Sequence, residues 1–186
     1  TEIVDKLNEM GALKPGNNTC FNEEHLKLLL NRMATEAGVE LLYQTTVVGV
    51  KKNGNRIEAV TVSNVSGTYD IEGDVFIDAT GDANLSHLAG VPYKVGRESD
   101  GLCQPMTLCF RLGGVDLELF KGLRPAINEL YNKLQAEGKI KNPRENVLIF
   151  PNVAPGVLHF NTTRIVKLDP TNAEDVTKAE IMAREQ

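Results

Sequence analysis

The sequence is poor in the residues that several common kinds of site require. Tryptophan is absent, aromatic residues make up 5% of the 186 residues, and no pair of carboxylates stands out, so nothing supports a carbohydrate-active protein. The cysteines, Cys20, Cys103 and Cys109, are an odd set without Cys-x-x-Cys spacing, and the three histidines form no His-x-x-x-His pair. We therefore expect neither a disulfide framework nor a metal site. We expect the protein to lie in a reducing compartment, the cytoplasm.

Long apolar runs and excess positive charge are also lacking, and these absences narrow the range of partners. No stretch is apolar for the length of a membrane span, and no signal peptide opens the sequence. The formal charge of −5 disfavours nucleic acid and anionic membranes. We therefore expect a small-molecule substrate, no nucleic-acid partner and no membrane partner, and the oligomeric state stays open.

Several segments have apolar residues at helical spacing. The predicted helices cover residues 2–10, 23–37, 83–90 and 171–186. Asn22 and Asp116 are suited to cap the helices that follow them. Pro125 is expected at the first position of a separate helical segment, because proline inside a helix costs roughly 3 kcal/mol.

Other segments have the character of strands. The predicted strands are residues 39–43, 47–52, 56–64, 68–71, 75–78, 106–115, 147–151 and 157–161. "NGN" at 53–55 predicts a type I′ hairpin turn, so residues 47–71 are expected to form a three-stranded antiparallel meander. Residues 75–78 are typical of a strand inside a parallel sheet, and "ALKPGNNTC" at 12–20 is predicted to be a loop.

Together these elements predict a mixed α/β and α+β chain. A βαβ-like part runs to about residue 82 and is joined to a mixed α+β part. The first part lacks an opening strand, and a parallel sheet of one or two strands leaves its edges exposed. We therefore expect the chain to be an internal segment of a longer protein.

The stretch "DVFIDATGDANLSHLAG" at 74–90 has a strand-turn-helix pattern without Gly-x-Gly-x-x-Gly. Taken with "AGVELLYQTTVVGV" at 37–50, "QPMTLCFRLGGVD" at 104–116 and "HFNTTR" at 159–164, it makes nearly the whole chain resemble one family. That family is the FAD-dependent oxidoreductases with a glutathione-reductase-like, Rossmann-type flavin domain, and within it the bacterial members. The resemblance implies hydride transfer between a small organic substrate and FAD in the intact protein.

In that family a glycine motif before a helix holds the FAD pyrophosphate, and this chain lacks it. The segment alone is therefore expected neither to retain FAD tightly nor to be active. By resemblance, residues 1–82 are a partial FAD-binding domain with helices, meander and return strand, and residues 83–186 are a portion of the substrate domain. The alternative is a non-catalytic binding or interaction domain that docks through an unpaired sheet edge.

Four residues are expected, by resemblance, on the nucleotide side of the cofactor. Val47 matches a strand position whose backbone contacts the adenine edge, although it also fits a buried strand residue. Thr80, Gly81 and Asp82 match the family's second nucleotide-side turn, where glycine permits a close backbone approach. Asp82 equally fits the N-cap of the following helix, and Asp78 fits either a structural role or the lining of a polar site.

Three residues, Arg111, His159 and Asn161, are predicted to be catalytic. In the related proteins one loop and strand approach the flavin and the substrate; the residues in it here are Arg97, Gln104 and Arg111. Arg111 either pairs with a substrate carboxylate or is a solvated surface arginine. His159 and Asn161 alternate along "VLHFNTTR" with Thr163, so they are expected on one strand face. A histidine beside an asparagine suits proton donation near a flavin; the alternative is a structural histidine with satisfied hydrogen bonds.

Overall fold

The chain contains five helices and eight strands in a computed structural model that describes residues 1–186. The helices are α1 (Glu2–Glu9), α2 (Glu23–Glu36), α3 (Asn84–Ala89), α4 (Leu117–Ala136) and α5 (Ala173–Glu185). The strands are β1 (Leu13–Lys14), β2 (Asn17–Phe21), β3 (Thr46–Asn53), β4 (Arg56–Asn64), β5 (Gly67–Glu72), β6 (Phe110–Leu112), β7 (Ile149–Pro151) and β8 (Leu158–Phe160). None of the helices is both long enough and apolar enough to cross a membrane.

All pairings between these strands are antiparallel. β1 pairs with β2, the second sheet has the order β3-β4-β5, and the third has the order β6-β8-β7. The chain is therefore a mixed α/β protein with small antiparallel sheets, which confirms the coarse fold class. The predicted βαβ-like part is wrong, because no two strands run parallel.

The chain packs as two compact units. One is continuous, residues 40–96, and contains the meander β3-β4-β5 with α3; the other combines residues 1–39 with 97–186. The predicted division at residue 82 stays a prediction, because a boundary between cofactor and substrate regions need not coincide with a boundary between packed units.

The core of the 40–96 unit lies between the meander and α3. Val60 and Val62, on the central strand β4, are buried with Leu85 of α3. Half-buried side chains from β3, including Val47 and Val50, pack against them. Because a two-stranded hairpin is marginal alone, the third strand and the α3 contact together stabilise the meander that the sequence predicted.

Leu85→Ala is expected to destabilise the 40–96 unit by about 2–5 kcal/mol, because truncating a buried leucine leaves a cavity. Leu85 is 7% exposed, whereas Leu88 on the same helix is 38% exposed. Leu88→Ala is therefore the matched control, with an expected cost of about 1 kcal/mol or less. Urea unfolding, with hydrogen exchange read at the β4 amides, measures both variants. Equal losses from the two substitutions would show that α3 is not held by this core.

The β3–β4 turn differs from its predicted type. Asn53 pairs with Arg56 in the ladder, so the loop residues are Gly54 and Asn55. Gly54 has a φ of 59°, and Asn55 is not among the residues with positive φ. Glycine at the first loop position with positive φ there alone is typical of a type II′ turn, since type I′ requires positive φ at both positions. The hairpin is confirmed and the turn type is corrected.

Two predicted strands are wrong. Residues 39–43 and 75–78 form no strand, and Val75 and Ile77 are 81% and 85% exposed. Both segments have the amino-acid composition of a strand, but a strand is stabilised by its cross-strand neighbours. No strand of the chain pairs with either segment, so the composition alone does not produce a sheet.

Two further expectations are corrected in the other unit. Residues 12–20 were predicted to be a loop, but they contain most of the β1–β2 hairpin, in which Gly16 turns with a φ of 74°. Pro125 was predicted to begin a helix, but it lies inside the 20-residue helix α4. The Asp116 cap on one side and buried Tyr131 on the other stabilise α4 enough to tolerate the lost hydrogen bond.

The 1–39 and 97–186 unit has two separate apolar clusters. The first joins α1, the hairpin and α2 through Leu7, Ala12 and Leu29. The second joins α5 to Ile165, which forms an antiparallel bridge with Met106. The strand region before β6 and the segment after β8 are thereby held side by side.

Candidate functional site

A groove of about 340 Å³ lies between the β1–β2 hairpin and the sheet β6-β8-β7. Its lining includes the charged residues Glu23 and Arg111 together with His159, and its largest apolar residues are Phe21 and Phe150. The volume lies near the lower end of the range for small-molecule sites. The groove therefore brings together two of the three residues predicted to be catalytic.

The register of the sheet places these side chains in a row. His159 on the central strand β8 lies opposite Arg111 on β6 and opposite Phe150 on β7. Directly opposite residues of antiparallel strands point to the same face, so the imidazole lies between the guanidinium and the phenyl ring. The His159 and Phe150 ring centroids are 6.4 Å apart. The next pair, Phe110 and Phe160, stacks with centroids 4.8 Å apart.

His159 has an orphaned polar atom. Its Nδ1 is buried without a hydrogen-bond partner, although His159 lines the groove. Leaving a buried polar group unpaired costs about 1–3 kcal/mol, and such groups in native structures call for a specific explanation. The chain itself supplies no partner for this nitrogen, and the choice between a catalytic and a structural His159 stays a prediction.

Arg111 forms an ion pair with Glu23, the first residue of α2. Hydrogen bonding to its own backbone N–H and then to Arg111 lowers the pKa of Glu23. The two side chains are 48% and 36% exposed, and ion pairs of such exposure contribute about 0–1 kcal/mol. A charged ligand can therefore exchange for either partner. Glu23 was missed as a site residue, because its position in the sequence indicates only a helix N-terminus.

The wall of the groove is fixed by long-range hydrogen bonds. Lys14 Nζ donates to the Asn152 carbonyl oxygen at 3.1 Å, and Cys20 Sγ donates to the Pro151 carbonyl oxygen at 3.5 Å. Both acceptors lie at the end of β7. The hairpin is thus held beside the strand that carries Phe150, which keeps the groove open between them.

Asn161, the third residue predicted to be catalytic, is not among the residues that line the groove. β8 ends at Phe160, and the Asn161 backbone N–H donates to the Leu148 carbonyl oxygen at 3.0 Å. Thr163 is buried, and its hydroxyl accepts from Leu108 N–H at 2.8 Å and donates to the Leu108 carbonyl oxygen at 3.1 Å. The alternation predicted along "VLHFNTTR" therefore does not extend the groove beyond His159.

Arg97 is bound by its own loop rather than by the groove. Its guanidinium donates two hydrogen bonds of 2.6 Å to Asp100. The Arg97 backbone N–H also donates to the Leu102 carbonyl oxygen at 3.1 Å. The pair closes a local turn.

In the 40–96 unit, Asp78 organises the turn before α3. Its carboxylate accepts from the N–H and hydroxyl of Thr80 at 3.1 and 2.6 Å, and from the N–H and hydroxyl of Ser86 at 2.8 and 2.7 Å. The Thr80 hydroxyl in turn accepts from Asn84 N–H at 2.7 Å. These donors, with the Thr80 hydroxyl first, hold the pKa of Asp78 well below its usual range. Asp78 thus has a structural role.

The N-cap of α3 is Ala83, with a φ of 53°, and no side chain caps it in the usual way. The predicted capping role of Asp82 is therefore wrong by one residue. The Thr80 hydroxyl satisfies the first free N–H instead. An Asp-x-Thr sequence is typical of a side chain that hydrogen-bonds the backbone two residues on, and this signal could have identified Asp78.

The residues predicted to bind the cofactor are Val47 in the meander and Thr80, Gly81 and Asp82 before α3. Val47 lies on β3, an edge strand of the meander, and edge strands keep backbone groups unpaired, as an adenine contact requires. Gly81 has no positive φ, and a Cβ there would meet nothing of the chain within 4 Å, so no contact within the chain requires glycine. The Thr80 hydroxyl is occupied internally, and Asp82 adds negative charge. The expected place of Thr80, Gly81 and Asp82 on the nucleotide side of the cofactor stays a prediction.

Asp78→Asn is expected to weaken the start of α3 and to lower the thermal midpoint of the 40–96 unit by several degrees, because an amide loses the charge that four donors stabilise. The folded pKa lies below the unfolded value of about 3.9. The contribution of Asp78 is therefore full above about pH 5 and lost as pH falls from there through the folded pKa. Wild type should lose more stability than the variant between about pH 5 and pH 2.

Thermal melts across that pH range, with hydrogen exchange at the Ser86 amide, measure this effect. Asp82→Asn is the control, since no hydrogen bond ties the Asp82 carboxylate to the turn. Parallel acid profiles for wild type and Asp78→Asn would contradict the role of Asp78.

The fold and the groove together define a mixed α/β protein with a charged site of small-molecule size. The chain belongs to the FAD dependent oxidoreductase family, whose sequence model matches residues 1–186. This match confirms the family resemblance seen in the motifs, and with it a redox function and FAD as the cofactor of the intact protein. Comparison with curated proteins and with solved structures gave no match.

Proposed function

We propose that the intact protein transfers a hydride between a small organic substrate and FAD, and that the groove of Arg111 and His159 binds this substrate. The observation that carries the proposal is the position of His159 directly opposite Arg111, with both residues lining a groove of about 340 Å³. FAD supplies the redox chemistry when bound, and the protein supplies position and electrostatics.

Each lining residue has a defined task in this proposal. Arg111 orients an anionic group of the substrate through its planar fork of donors. His159 accepts the proton that the substrate loses from a heteroatom when the neighbouring carbon loses its hydride. Phe21 and Phe150 limit the access of water to the reacting atoms.

We also propose that the residues that hold the FAD diphosphate lie outside these 186 residues. The sequence contains no Gly-x-Gly-x-x-Gly, and the Asp78–Thr80 turn uses its donors internally. FAD binding by the family therefore requires another phosphate-binding element. The division into an FAD-domain portion at 1–82 and a substrate-domain portion at 83–186 belongs to this proposal.

The first test is the visible spectrum of the full-length protein, in which bound flavin is expected; colourless protein that takes up no FAD would overturn the proposal. The second test is titration of the 186-residue chain with FAD, followed by flavin fluorescence. Weak or absent binding is expected, and sub-micromolar affinity would contradict the placement of the diphosphate site.

A second candidate function is a non-catalytic interaction domain. One observation favours it: the 40–96 unit exposes large apolar side chains in two segments without strand partners, among them Leu42, Tyr43, Val75 and Ile77. Exposed apolar surface of this kind marks docking sites. The discriminating observation is the sequence upstream of Thr1: a strand followed by Gly-x-Gly-x-x-Gly supports the enzyme, and its absence supports the interaction domain.

A further inference from the structure

We propose that the groove selects a zwitterionic substrate of the α-amino acid class, with its carboxylate on Arg111 and its ammonium group on Glu23. The inference rests on the proposed function, because it takes this groove as the substrate site. It goes further by naming the substrate class and by assigning a binding role to Glu23.

The ion pair in the groove determines which ligand charges fit there. Arg111 and Glu23 are in direct contact, so a ligand that replaces this contact must carry two opposite charges close together. In an α-amino acid a single carbon separates the carboxylate from the ammonium group. Such a ligand exchanges one ion pair for two and leaves neither protein charge unpaired.

Ligands with a single charge fit less well. A simple carboxylate on Arg111 would lie beside the Glu23 carboxylate, and like charges at contact distance repel. A simple amine on Glu23 would face the guanidinium in the same way. Since the existing pair is half-exposed and contributes little to stability, a zwitterion displaces it at little cost.

Glu23 is held in place for this role. It begins α2, whose N-cap Asn22 accepts from the N–H groups of Glu24 and His25 at 3.0 and 3.2 Å. Its own backbone N–H, the largest cause, also lowers the pKa of the Glu23 carboxyl. When a ligand takes Arg111, the Glu23 carboxylate therefore stays at the groove as an anion.

The rest of the groove suits an apolar side chain. Phe21 and Phe150 contribute the largest apolar surfaces of its lining, and both rings are partly exposed to it. A volume of about 340 Å³ accommodates a whole amino acid. The substrate class that follows is an α-amino acid with an aliphatic or aromatic side chain.

Calorimetry with the full-length protein, without any electron acceptor added, tests the inference. Two matched sets serve as probes: leucine, 4-methylpentanoate and 3-methylbutylamine, and phenylalanine, 3-phenylpropanoate and 2-phenylethylamine. In at least one set the amino acid is expected to bind about tenfold or more tightly than both singly charged analogues. A carboxylate that binds as tightly as its amino acid, or no binding by any member of either set, would overturn the inference.

Substitutions in α2 test whether Glu23 binds the ammonium group of the ligand. Glu23→Gln is expected to abolish the preference for the amino acid over the matching carboxylate. Glu24→Gln, one residue along α2 and paired with Lys27, is expected to keep it. A preference that survives Glu23→Gln would remove Glu23 from the site.

The binding assay separates this inference from the proposed function. Amino acids that bind selectively without bleaching the flavin would support the zwitterion site and refute hydride transfer. A flavin bleached by a simple carboxylate or alcohol, with no amino acid preference, would support hydride transfer and refute the zwitterion site.

Discussion

Arg111→Gln in the full-length protein is expected to raise KM for the substrate roughly 10- to 150-fold and to leave kcat within a few-fold. Hydrogen bonds to a charged group contribute about 1.5–3 kcal/mol, and Arg111 makes them to a substrate group that keeps its charge through the reaction. Loss of such uniform binding raises KM without lowering kcat. Steady-state flavin reduction, with the best substrate from a screen of small carboxylates and amino acids, measures both constants.

Two further arginine variants show whether the rise in KM comes from the loss of Arg111 at the substrate site. Arg111→Lys keeps the charge but loses the planar fork, so its KM should fall between wild type and Arg111→Gln. Arg184→Gln is the control, because Arg184 forms an exposed ion pair of 2.8 Å with Glu180 on α5, away from the groove. An equal rise in KM for Arg111→Gln and Arg184→Gln would exclude Arg111 from the site.

The fold of the Arg111→Gln variant should persist. The Arg111–Glu23 pair is half-exposed, so its loss costs about 1 kcal/mol or less. An unchanged melting temperature with an altered KM would therefore locate the effect in binding.

The elements predicted correctly from the sequence are those whose determinants are local. Asn22 and Asp116 accept hydrogen bonds from the N–H groups of the helices they precede. Both roles can be predicted from a stretch of four residues. The β3–β4–β5 meander followed from short turns between apolar runs. In each case the residues that specify the structure are close together in the chain.

The groove could not be predicted in the same way, because its parts are distant in sequence. Glu23 and Arg111 are 88 positions apart, and the row of Arg111, His159 and Phe150 depends on the register of three strands. The sequence identified Arg111 and His159 as polar residues on strands. It contained no signal that Glu23 meets one of them, nor that Asn161 lies beyond the end of β8.

Errors at the segments 39–43 and 75–78 have the same origin. Both have strand-like composition, but a strand requires a neighbour, and the neighbour is not specified by the segment itself. The turn at Asp78 shows the converse: its hydrogen bonds to Thr80 and Ser86 span eight residues, and the Asp-x-Thr sequence was enough to indicate part of it.

His159→Gln is expected to lower kcat by about 10²- to 10⁴-fold, the usual contribution of a positioned acid or base, with little change in KM. Glutamine has a similar size and forms hydrogen bonds, but it cannot accept a proton at neutral pH. If His159 takes the substrate proton, the variant loses this step while Arg111 still holds the substrate. Single-turnover flavin reduction measures the chemical step directly.

The pH dependence separates a catalytic from a structural role. The part of the pH–rate profile that arises from the imidazole should disappear in His159→Gln, whereas a purely structural histidine would leave the shape of the profile unchanged. His25→Gln, an exposed histidine on α2, should leave both rate and profile as in wild type. A lowered melting temperature with an unchanged profile would assign His159 to packing between Arg111 and Phe150, and the proton-transfer role would be refuted.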